Sequence, residues 1–139
     1  MRWLFLLSLI LVVGCSRVEP VYRQDINKSY LQLLHNRERS KQNIDQLEYS
    51  EDLDQFAQEW AEYMAGRRRL THSNLGFSGR TKGENIAEGQ RDEDEVLDGW
   101  MGSRGHKENI LNPDFTHVGF GCARTRDGTL YWCACFKGD

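Results

Sequence analysis

The sequence predicts an α+β domain. Three observations carry that expectation: two long stretches of helical periodicity in the first half, shorter helical pieces after them, and a glycine-turned hairpin at the end. In residues 25–41, Ile26, Tyr30, Leu31, Leu33 and Leu34 recur at helical spacing among polar residues. The second stretch follows Ser50, with Leu53, Phe56, Ala57, Trp60, Ala61 and Met64 stepping by three and four. Ser50 is an N-cap, acids fill the first turn, and Arg67, Arg68 and Arg69 close the last, so both charge clusters complement the helix dipole. That role accounts for the arginine triplet without a binding patch. The run Asp92-Glu93-Asp94-Glu95 places Asp92 and Glu95 at capping-box spacing, with Val96, Leu97, Trp100 and Met101 following at helical period. It marks a solvated helix start better than a cation site. Residues 117–125 and 129–136 form the hairpin about Asp127-Gly128, with Gly119 and Gly121 inside its first strand.

Composition narrows the class. The chain has 139 residues, room for one domain, and a net charge of −3. With 18 Lys+Arg against 21 Asp+Glu there is no basic field to hold a phosphate backbone, which argues against a nucleic-acid partner. Two prolines and no low-complexity run set it apart from disordered tails.

The amino terminus has a different character. Arg2 precedes the apolar run from Trp3 to Val13, too short to cross a bilayer as a helix, which needs ~20 residues, but long enough for an export signal. Val12-Val13-Gly14-Cys15 then resembles the lipobox of bacterial lipoproteins, in which the cysteine is acylated and becomes the new amino terminus. Residues 1–14 are thus expected to be a lipoprotein signal peptide, 15–24 the lipidated end and tether, and 25–139 the domain. Two or three acyl chains would anchor the protein stably to a membrane without spanning it. The expected address is the cell envelope. Ser16 resembles an outer-membrane sorting signal if the cell is diderm.

Beyond Cys15, three cysteines remain: Cys122, Cys133 and Cys135. A two-residue Asp127-Gly128 turn would set Cys122 opposite Cys133, with Cys135 two residues on and on the same face. One disulfide is expected, Cys122–Cys133 first and Cys122–Cys135 second, worth ~2–3 kcal/mol for so short a loop. A zinc site on these three lacks a fourth ligand nearby.

Four motifs carry a family resemblance. They are Leu34-His35-Asn36 with Arg39; His72-Ser73; Gly83-Glu84-Asn85-Ile86-Ala87; and Trp100-x-x-Ser103-x-Gly105-His106-x-x-Asn109-Ile110-Leu111. The last runs on into Phe115-x-x-Val118-Gly119-x-Gly121, with Tyr131-Trp132 in the final strand. In this order and spacing they resemble the CAP superfamily (cysteine-rich secretory, antigen 5 and pathogenesis-related 1 proteins), in its bacterial SCP-like branch. The resemblance covers about residues 28–136. It implies an α-β-α sandwich with a small antiparallel sheet between helical layers.

It also implies a site, a cavity of two histidines and two acids able to bind a divalent metal. The histidines fall on His72 and His106 and the first acid on Glu84, whereas Ser103 stands where many members carry the second acid. Two imidazoles and a carboxylate with an open fourth position suit zinc or another divalent cation, and Ser103 could orient His106. The same three residues could equally be a hydrogen-bonded network fixing loops to the sheet. His35 is expected to pack or hydrogen-bond on the first helix, and Gly76-Phe77-Ser78-Gly79 to be loop. There is no HExxH, G-x-S-x-G or P-loop, and no base beside a cysteine, since His117 and Cys122 alternate to opposite faces. Two functions follow. One is a monomeric, non-catalytic envelope module binding a lipid, glycan or peptide. The alternative is a zinc-dependent hydrolase of peptide or envelope substrates with Glu84 as catalytic base. Glu84 cannot serve fully as both ligand and base, which favours the binding module.

Overall fold

The structure is a computed structural model that describes residues 20–139. The expected signal peptide, Cys15 and the first part of the expected tether lie outside the described residues. Five strands and four helices follow in the order β1 (Tyr22–Arg23), α1 (Lys28–Ser40), β2 (Glu48–Tyr49), α2 (Glu51–Arg67), β3 (Thr81–Glu88), α3 (Glu93–Met101), α4 (Arg104–Ile110), β4 (His117–Arg124) and β5 (Leu130–Gly138). The sheet runs β1-β4-β5-β3, antiparallel throughout, and β2 adds one short parallel pairing to β4. Helix α2 covers one face, and α1, α3 and α4 cover the other. The chain is an α-β-α sandwich. No helix among the described residues is long and apolar enough to cross a membrane.

Local chemistry starts the helices where the sequence indicates. Ser50 Oγ accepts the Leu53 N–H at 3.4 Å, and Asp92 Oδ1 accepts that of Glu95 at 2.9 Å. The reciprocal arm of the Asp92 box is offset, because Glu95 Oε2 accepts from Arg91 N instead. Helix α2 ends with Arg68 in the left-handed conformation, its guanidinium paired with Asp127 at 2.7 Å. Tyr22 and Arg23, expected in the tether, form an edge strand against Arg124 and Ala123.

The two faces are packed differently. Against α1, α3 and α4 lie the large side chains Trp100, Trp132, Phe115, Phe120 and Phe136. Against α2, β4 presents Gly119, Gly121 and Ala123, and the helix rests directly on it: a Cβ on Gly119 would overlap the backbone of Leu53 and Asp54, and one on Gly121 that of Ala57 and Gln58. Here Gln58 acts as a strand, its amide accepting from Cys122 N at 3.1 Å and donating to Cys122 O at 2.8 Å.

The hairpin corrects the cysteine reading. Its loop has three residues, not two: Thr125 N–H donates to Thr129 O at 3.0 Å, and Gly128 takes φ +92°. The extra residue shifts the register by one, so Cys122 lies opposite Trp132 and Cys133 opposite Gly121. A one-residue slip turns every side chain to the other face. Cys122 therefore packs among the aromatics beneath α1 and α3, while Cys133 and Cys135 lie under α2. Neither Cys122–Cys133 nor Cys122–Cys135 forms a disulfide; all three are buried free thiols.

Candidate functional site: the β3 edge and the Glu84 cluster

Strand β3 is an outer strand of the sheet. Its alternation sends Glu84 and Ile86 toward α2 and Asn85 and Ala87 toward α3 and α4. The flanking elements dock on its backbone: Trp100 Nε1 donates to Ile86 O at 3.1 Å and Asn109 Nδ2 to Glu84 O at 3.2 Å. Asn109 also donates to Asn85 Oδ1 at 2.8 Å, and Asn85 Nδ2 holds the His106 carbonyl at 2.9 Å. The motif asparagines are thus positioning residues that set α4, and with it His106, against β3.

Glu84 is the centre of the arrangement. Its side chain is 2% exposed, and Oε1 lies 2.7 Å from His72 Nδ1. The same oxygen accepts the Ser73 N–H at 2.9 Å. The other oxygen, Oε2, accepts from Cys133 Sγ at 3.9 Å, and Cys133 and Cys135 lie 3.7 Å apart, sulfur to sulfur. His72 is the open member, with 60% of its side chain exposed.

Of the expected ligands, His72 and Glu84 touch. His106 is near enough that burial, and then the charge of His72, hold its imidazole below the ordinary histidine range. Among the described residues, the group of three metal-ligating side chains with ligand atoms all within 4.8 Å of one another is Glu84, Cys133 and Cys135, without either histidine. The two-histidine donor set is thus not closed around one point. Ser103 sits at the N-cap position of α4 without making a side-chain cap bond. It lines a shallow cleft of about 250 Å³ with Leu70, Ile86, Ala87, Trp100 and His106. A roomier groove of about 710 Å³ runs along α4 between Met101, Arg104, Lys107 and Leu111, and holds none of these residues.

The remaining polar motif residues are structural. His35 is wholly buried among Trp100, Phe120 and Phe136, its Nδ1 2.8 Å from Leu31 O, and burial lowers its pKa to about 4. Arg39, also fully buried, donates to the carbonyls of Asp45, Ile110, Asn112 and Phe115. Burial pushes the Cys122 thiol up to about 12 and raises that of Cys133 as well, so neither is a thiolate nucleophile. Sequence reasoning missed Cys133 and Cys135 as neighbours of Glu84. The signal was present, because Arg126-Asp127-Gly128 equally suits a three-residue loop with a left-handed glycine.

Comparison with known proteins settles the relationship. The family model described as CAP, the cysteine-rich secretory protein family, matches residues 33–136. The chain belongs to the CAP family. Its CAP domain is 39% identical over 100 residues to the uncharacterized protein YkwD of Bacillus subtilis, covering 63% of this chain and 39% of that protein. It is 34% identical over 79 residues to the uncharacterized membrane protein YlbC of the same organism, covering 55% of this chain and 22% of that one. The chain therefore spans well under half the length of these curated relatives. Among solved structures, an outer surface protein from Borrelia burgdorferi aligns with a TM-score of 0.72 at 24% identity, over 86% of this chain and all of that one. An extracellular SCP-domain protein from Bacillus anthracis aligns with a TM-score of 0.71 at 26% identity, over 81% of this chain and 40% of that one. Both structures share the fold of this chain.

Proposed function

We propose that this chain is an extracytoplasmic, lipid-anchored CAP module that binds a ligand at the β3-edge cleft and does not hydrolyse it. The observation that carries this reading is the state of Glu84. A general base must reach the water it activates. Here Oε1 already accepts two hydrogen bonds, from the His72 side and from Ser73 N–H, and Oε2 faces two buried thiols. Ser103 stands at the second acid position, and the carboxylate that lines the same cleft, Glu88, already accepts from Tyr131 O–H at 2.9 Å. The cleft lined by Ser103 joins apolar Leu70, Ile86, Ala87 and Trp100 to the polar Glu88, Gln90, Ser103 and His106, a lining suited to a lipid, glycan or peptide with one apolar and one polar side. The extracellular and outer-surface descriptions of the structural relatives support the envelope address, and Val12-Val13-Gly14-Cys15 supports the anchor.

Peptide and envelope-glycan hydrolysis, assayed with added zinc on the chain and on Glu84→Gln, tests the reading. Both proteins should match the no-protein background. Zinc-dependent turnover that Glu84→Gln abolishes would overturn it in favour of a hydrolase.

A further inference from the structure

The chemistry beneath Glu84 is unlike that of a solvated histidine cleft. Glu84 and Cys135 are direct cross-strand partners on β3 and β5, and Cys133 is opposite Ile86, one pair along on the same face. Three donors thus converge under α2: two sulfurs 3.7 Å apart and a carboxylate oxygen 3.9 Å from the nearer one. Two thiolates on one tetrahedral zinc, each at ~2.3 Å from the metal, lie about 3.7–3.8 Å from each other. The sulfur pair is already at that separation. Glu84 is held in place by His72 Nδ1 and Ser73 N–H on its far oxygen, the arrangement in which an outer partner orients a ligating carboxylate. His72, largely exposed, lies between the cluster and solvent.

We propose that Cys133 Sγ, Cys135 Sγ and Glu84 Oε2 form a binding site for a thiophilic divalent cation of the zinc class, with His72 as the outer partner of Glu84 and His106 outside the donor set. Sulfur donors select zinc, cobalt or cadmium over magnesium and calcium, which take oxygen. Binding converts two thiols to thiolates and releases one proton from each, so two protons leave per cation bound. The strand pairing holds the donors together without a closing motion. None of the three donors lines the cleft, so losing the metal leaves the binding-module reading intact, and the sulfur band reports the thiol site separately from any turnover.

Cobalt(II) titration of the full-length chain in detergent, carrying Cys15→Ser to remove the amino-terminal thiol, decides the matter. The expected result is one equivalent bound with a water as the fourth ligand, giving tetrahedral visible bands and a thiolate-to-cobalt charge-transfer band in the near ultraviolet. Cys133→Ala and Cys135→Ala should each remove part of the sulfur band and weaken binding by more than the ~100-fold an outer partner can be worth. His72→Ala should weaken it about 10-fold and His106→Ala should leave it unchanged. Calorimetry in two buffers of different ionisation enthalpy should return two protons per cobalt. Absence of binding, binding without a sulfur band, or loss of binding in His106→Ala would each overturn the proposal. If a cysteine variant fails to fold, the parent spectrum still decides, because nitrogen and oxygen ligands give no sulfur band.

Discussion

The seats of Arg39 and Glu84, on opposite faces of the sheet, bury polar groups in opposite ways. Beneath α1, α3 and α4, three buried polar side chains bond to backbone: Arg39 to four carbonyls, Asn36 to both the N–H and the C=O of Leu47, His35 through Nδ1 to Leu31 O. Such partners cannot titrate or leave, so these groups fix the fold. Beneath α2, the buried carboxylate of Glu84 meets an exposed imidazole and two thiols, side chains that can exchange protons or accept a cation. A motif polar residue is structural or functional according to whether its partners are backbone groups or titratable side chains.

The largest effect should come from the fixed side. Arg39→Ala leaves four carbonyls, those of Ile110 and Phe115 buried, without their donor and should lower unfolding free energy by about 3–5 kcal/mol in urea. A loss below about 1 kcal/mol would break the contrast. His35 should give the next effect, visible as pH dependence. Its folded pKa of about 4 lies below the unfolded value of 6.5, so the unfolded chain takes up the proton first and stability falls as pH drops from 6.5 toward 4. The loss should reach about 3 kcal/mol and flatten in His35→Asn, read from urea midpoints across that range. Gly121→Ala, whose new Cβ overlaps the α2 backbone at Ala57 and Gln58, should cost about 2–3 kcal/mol by forcing the helix off β4. Thermal melts would show it, and a neutral result would mean that α2 slides freely. His72→Ala should cost least, under about 1 kcal/mol at neutral pH, since the imidazole is mostly solvated and Glu84 keeps the Ser73 N–H. A larger loss would place Glu84 with the fixed groups.

Much of this was legible before any coordinates. The caps at Ser50 and Asp92 act within one helical turn, so they are written locally. The glycines of β4 were visible as oddities in a strand, but their reason, the α2 backbone resting on them, is a contact between elements more than fifty residues apart. His72 and Glu84 could be named from their motifs. Their meeting depends on how the segment after α2 returns to β3, and the exclusion of His106 from a common donor point on how α4 docks through Asn85 and Asn109. The four-carbonyl seat of Arg39 has no sequence signature at all, because backbone acceptors are present at every position.

By itself the sequence determined the helices, the presence of a hairpin, the family and the residues that carry its motifs. Those rest on short-range periodicity, capping chemistry and ordered spacing. Only the tertiary structure decided which residues face one another. A single extra residue in the turn before Thr129, accommodated by Gly128, moves Cys122 to one side of the sheet and joins Cys133 and Cys135 to Glu84 on the other. Strand side chains alternate with a period of two, so a local choice of one residue in the turn sets the chemistry of an entire face.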